Sequence, residues 1–136
     1  MEYVGWSYES AFAAEAASAA AARIFVRDHL VRHFMPYLVD DVELVVSELA
    51  TNAMVHAMTP FTVTLARRHR SVLLTVTDGS SKGPVQCSPA VTDPRGRGVL
   101  IVDQLSTHWG VAAATDPHHA KSVWTSFDHD PRRVPA

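Results

Sequence analysis

Between Val42 and Ala57 the chain is so apolar that a helix there must be largely buried. Val42, Leu44, Val45, Val46, Leu49, Ala50, Ala53, Met54 and Val55 leave almost no solvent face. Polar residues nevertheless interrupt this run. Glu48, Asn52 and His56 fall at i, i+4 and i+8, close to one stripe of the helix. A buried carboxylate or amide is costly unless something satisfies it. Polar groups along one edge of a core helix therefore point to a lined cavity, and a cavity points to a ligand. The ordinary alternative is a helix carrying two locally satisfied polar residues.

The rest of the chain supplies partners for that helix. Tyr3 to Tyr8 reads as a short edge strand. Ser10 to Phe34 reads as a helix, with Ala-rich propensity and Ser10 as N-cap, punctuated by Pro36. Asp40 or Asp41 opens the second helix, which ends before Pro60. Phe61 to Arg67 and Ser71 to Thr77 alternate as strands around an Arg68-His69-Arg70 hairpin tip. Asp78 to Gly98 holds four of the six glycines and three of the eight prolines, so it reads as a long loop. A short helix over Val99 to Leu105 follows, then strands over His108 to Ala114 and Ser122 to Phe127. Residues 128–136 form a polar tail with two prolines, expected to fray. Helices in sequence followed by adjacent strands predict an α+β two-layer sandwich. Its sheet is mixed, mostly antiparallel, and covered on one face by helices. At 136 residues, without repeats or a linker, the expectation is a single domain with its core over about 8–127.

Composition excludes several classes. A formal charge of −2 gives no electrostatic case for direct nucleic-acid binding. No apolar stretch is long enough to span a bilayer. The Ala-rich run Ala11 to Ala22 contains Glu15, follows Glu2 and Glu9 and lacks a basic leader, so it does not read as a signal peptide. The single cysteine, Cys87, cannot form an internal disulfide, which fits a cytoplasmic protein. Its place in a Pro- and Ser-rich loop argues against a nucleophile. His29 and His33 lie one helical turn apart without an identifiable third ligand, so a solvated helix face is favoured over a metal pair. His118-His119 beside Pro117 has no special claim.

Three further constellations bear on chemistry. Asp78-Gly79-Ser80 ends an apolar strand, where a carboxylate can accept from a ligand amine and glycine lets the backbone approach. Taken alone, it reads first as a strand-ending turn. Arg95-Gly96-Arg97-Gly98 feeds a helix N-terminus, whose free N–H groups and dipole suit an anion, and the arginines suit phosphate. A flexible loop with solvated arginines explains it equally well. Lys121-Ser122-Val123-Trp124 opens the last strand, and by itself is an ordinary strand with one exposed lysine.

In this order and spacing the four sites resemble the GHKL superfamily of ATP-binding domains, the Bergerat or histidine-kinase-like ATPase fold. Within it, the chain is most similar to bacterial anti-sigma factors that are also serine-protein kinases, over roughly residues 8 to 127. The resemblance implies ATP and Mg²⁺ as cofactors. Asn52 matches the asparagine that coordinates Mg²⁺, and Glu48 the glutamate that acts as general base. His56 matches a position often basic in relatives, facing the nucleotide; a capped core histidine is the alternative. Asp78 matches the aspartate that reads the adenine amino group, and Gly79 the adjoining glycine. Arg95, Gly96, Arg97 and Gly98 match the glycine box beside the phosphates. Ser122 stands where relatives carry Thr or Ser near adenine, often through a water.

The sequence departs from the family pattern twice. Only Asp78-Gly79 is clear of the usual Asp-x-Gly-x-Gly, with Gly83 coming later, and Ala120 replaces the common Gly before Lys121. The resemblance implies transfer of the γ-phosphate to a serine of an anti-sigma-factor antagonist, with a sigma factor as the other partner and a homodimer as the assembly. Trp6 and Tyr8, with Tyr3, either serve such an interface or pack on the sheet. The altered glycine boxes motivate an alternative: a nucleotide-gated binding module without kinase activity. A histidine-kinase catalytic domain cut from a larger protein is disfavoured by the short lid and by the lack of an upstream phosphoacceptor helix pair.

Overall fold

The computed structural model describes residues 5–79, 97–113 and 121–129. Five strands form one sheet: β1 (Ser7–Phe12), β2 (Phe61–Arg68), β3 (Ser71–Asp78), β4 (His108–Ala113) and β5 (Lys121–Asp128), in spatial order β1-β2-β3-β5-β4. All four ladders among the described residues are antiparallel. Among the described residues three α-helices accompany them: α1 (Ala17–Arg32), α2 (Val39–Asn52) and α3 (Arg97–Leu105). A 3₁₀ turn (Pro36–Leu38) leads into α2, and a π-turn (Ala53–Ala57) continues it. The fold is α+β, the two-layer arrangement expected.

Strands β3 and β5 alternate strictly. On β3, Val72, Leu74, Val76 and Asp78 are buried, while Leu73, Thr75 and Thr77 are half-buried. On β5, Lys121, Val123, Thr125 and Phe127 are buried in the same phase. Period-2 alternation puts each set on one face of the sheet. The inward face packs under α2, whose Val42, Val45, Val46 and Ala50 are fully buried. Bonds from Arg23 to Ser47 and from Arg27 to Glu43 (2.6 and 3.1 Å) tie α1 to one flank of α2.

Several expectations need correction. The first helix starts at Ala17, not near Ser10; Ser10 pairs with Val63 in the β1–β2 ladder. Pairing along β2 overrides the local helix propensity of the Ala-rich segment. Ala16 precedes the helix with no side-chain cap, so no capping residue marks its true start. The first strand is displaced to Ser7–Phe12, and Tyr3 lies outside the described residues. The second helix does keep a solvent face: Leu44 and Val55 are exposed. Helix α1 ends at His33, with Phe34 left-handed at φ 64° and Met35 N–H donating to Leu30 O at 2.8 Å.

His29 and His33 are not a solvated face but half-buried. Trp6 stacks on His33 (centroids 4.3 Å apart), and Tyr8 on His29 (3.8 Å). Further along, Phe12 meets Phe25 edge-on. The Tyr8 hydroxyl hydrogen-bonds His33 Nε2 at 2.7 Å. Two residues of strand span about 6.8 Å and four of helix about 6 Å, so β1 and α1 run in step. Trp6 and Tyr8 thus pack between the sheet edge and α1. Burial, with help from Arg32, holds both histidines below the ordinary imidazole range.

Candidate nucleotide-binding site

The β3–β5 register sets Asp78 directly opposite Lys121 and Thr77 opposite Ser122. Directly opposed residues share a face. Asp78 and Lys121 therefore both point inward, under the helices, where they are 3% and 5% exposed. Lys121 Nζ lies 3.2 Å from Asp78 Oδ2. Lys121 is thus a buried partner of the aspartate and not the exposed lysine of an ordinary strand. Thr77 Oγ1 and Ser122 Oγ meet at 2.8 Å on the other face. Sheet alternation thus separates Ser122 from Asp78, although they are near neighbours in the ladder.

Gly79 leaves the end of β3 and donates its N–H to Thr59 Oγ1 at 3.0 Å. Thr59 follows the π-turn that extends α2. In that turn Met58 N–H reaches Ala53 O at 2.8 Å, and Met58 is left-handed at φ 57°. A π-turn inserts one extra residue per turn and often sits at functional positions. Here it brings the chain from the end of α2 to the Asp78-Gly79 corner. His56 lies within this turn.

Glu48 and Asn52 are half-buried on α2. At 100° per residue they fall on the flank opposite Glu43 and Ser47, which are engaged with α1. Neither side chain has a hydrogen-bond or ion-pair partner among the described residues. A carboxylate and an amide of this kind, one turn apart and shielded but unspent, match the oxygen-donor chemistry that Mg²⁺ accepts. Helix α2 also packs against α3 and β3. The residues present therefore fit a magnesium nucleotide: a buried carboxylate at the strand end and oxygen donors on the neighbouring helix.

Helix α3 starts at Arg97, two residues before the expected Val99, so Arg97 and Gly98 belong to its first turn rather than to the loop. Arg95 and Gly96 lie outside the described residues, as do Ser80, Gly83, Cys87, His118, His119 and Ala120. Among the described residues no group of three or more His, Cys, Asp or Glu is placed to hold a metal by itself.

A family model for the histidine kinase-like ATPase domain matches residues 12–121, most of the chain. The chain belongs to this family. Its α+β fold, with an open antiparallel sheet under helices, is that of histidine kinase-like ATPases. Domains of the family bind ATP, typically with Mg²⁺. No curated protein matches the chain. No helix among the described residues is long and apolar enough to cross a membrane.

Proposed function

We propose that this histidine kinase-like ATPase domain binds Mg-ATP and transfers its γ-phosphoryl group to a serine of a regulatory protein. The observation that carries this reading is the meeting of Asp78, Gly79 and Lys121 at one sheet corner, tied by Thr59 to the helix bearing Glu48 and Asn52. Asp78 would accept from the adenine amino group, and Asn52 would ligate Mg²⁺. Glu48 would accept the serine proton as its oxygen bonds to phosphorus and ADP departs. By family resemblance, the serine belongs to an anti-sigma-factor antagonist and the second partner is a sigma factor, within the cytoplasm. The spacing of Glu48 and Asn52 supports catalysis, because a pure adenine-binding module needs no base beside the metal ligand.

Calorimetric titration with ATP, with and without Mg²⁺, tests the first half. Binding that strengthens with Mg²⁺ in the parent and not in Asn52→Ala is the expected result; no heat at several temperatures overturns it. Phosphotransfer to the partner tests the second half. Glu48→Gln is expected to keep ATP binding and lose transfer, and undiminished transfer by this variant removes Glu48 as base. A second reading, a nucleotide-gated binding module, draws on Ala120 and the incomplete glycine motif after Asp78. It prevails when the partner forms a complex with the ATP-bound chain and stays unmodified.

A further inference from the structure

We infer that Lys121 reads the adenine ring directly, donating to the ring nitrogen beside the amino group that Asp78 accepts from. The inference rests on the nucleotide reading above and gives its base pocket a second protein donor.

Three observations carry it. First, Lys121 is buried and in phase with Val123, Thr125 and Phe127, so its side chain belongs to the site's face of the sheet. Second, its ammonium sits 3.2 Å from the Asp78 carboxylate, at the end of β3 where the backbone turns at Gly79. Third, Ser122, the hydroxyl residue next in the chain, is turned to the opposite face and bonded to Thr77. The protein group standing beside Asp78 on the inward face is thus an ammonium.

The chemistry follows from the pair. A carboxylate only accepts hydrogen bonds and an ammonium only donates them. Side by side they present one acceptor and one donor. Adenine carries the complement on either side of its amino group: an N–H donor next to a ring-nitrogen acceptor, N1 on one side and N7 on the other. The ammonium has three donors, so it can hold Asp78 and reach a ring nitrogen together. A buried ion pair is in general a weak contributor to stability, because desolvation offsets the attraction. Two charges kept under the helices at the mouth of a strand pair are better accounted for by what they recognise.

The test compares equilibrium binding of ATP, 1-deaza-ATP and 7-deaza-ATP to the full chain and to Lys121→Met. In the parent, one of the two deaza analogues is expected to bind about ten- to a hundredfold more weakly than ATP. In Lys121→Met that analogue and ATP are expected to bind equally. Two results overturn the inference: both analogues binding the parent as tightly as ATP, or an undiminished deaza penalty in Lys121→Met. Should the single charge deletion fail to fold, Asp78→Asn is compared with the double substitution Asp78→Asn, Lys121→Met, which removes both charges. A deaza penalty present in the single and absent in the double supports Lys121; the same penalty in both overturns it. If ATP itself does not bind the parent, the nucleotide reading falls and this inference with it. Absence of any deaza difference in the parent, while ATP still binds, removes Lys121 alone.

Discussion

Asp78 brings a carboxylate into a corner that is almost dry, and its neighbours decide what that costs. Asp78→Ala is expected to lower adenine-nucleotide affinity about ten- to a hundredfold, read by calorimetry. It also strands the Lys121 ammonium in the sheet, so a stability loss of about 3–5 kcal/mol is expected in urea denaturation. Unchanged affinity together with lowered stability would reduce Asp78 to a structural role. At this scale the sequence was partly legible. Asp78-Gly79 announced itself because it ends an alternating apolar strand. Lys121 alone fits an ordinary strand with an exposed lysine, yet its phase with Val123 and Phe127 assigns it to the inward face. Glu48 and Asn52 were visible as polar residues in an apolar run, and both are held half-buried on one flank of α2.

Among the elements, the hairpin β2–β3, helix α2 and strands β4 and β5 follow the hydrophobic period closely, within about a residue at most ends. Two features carry no such signature. The β1–α1 boundary is hidden by alanine-rich composition and by a helix start with no side-chain cap. The π-turn after Asn52 is defined by an i to i+5 hydrogen bond, which no residue type announces. Its consequence is Thr59, a site-supporting residue that the sequence did not single out. Thr59→Val keeps the shape and removes the acceptor for Gly79 N–H. A loss of about 1–3 kcal/mol is expected, read by thermal melting, with nucleotide affinity falling alongside. Gly110 supplies another element-scale test. It lies opposite Trp124, and a Cβ there would meet the indole at 2.7 Å. Gly110→Ala is expected to destabilise by about 1–3 kcal/mol, because the ring must leave its place over β4. A melting temperature equal to the parent's would show that the indole moves freely.

For the whole molecule, the histidine stack makes stability depend on pH. His29 and His33 have folded pKa values below the ordinary one, first through burial and then through Arg32; His33 also meets Arg67 from β2. Asp28 opposes the shift at His29. His29 Nδ1 is buried with no hydrogen-bond partner among the described residues, which fits a neutral ring. Below pH about 6.5 the unfolded chain takes up protons that the folded one resists. Stability is therefore expected to be full above that pH and to fall as the pH drops toward the folded values. Urea midpoints measured across this range should show the decline in the parent and a flatter profile in the double substitution His29→Phe, His33→Phe. Equal slopes would mean that other groups govern the pH response.

The sheet order also bears on how a molecule comes into being. β5 is synthesised after every other described element, yet it lies between β3 and β4 rather than at an edge. A nascent chain that has passed Ala113 but not Lys121 has β3 with one side unpaired, an open template for a stray strand. It also has Asp78 without its ammonium. Domains made on the ribosome gain structure from the N-terminus onward, and here the order of synthesis and the order of the sheet disagree. The insertion of one late strand closes the edge and neutralises the carboxylate in the same movement, so the corner at Asp78 matures only when the sheet is whole.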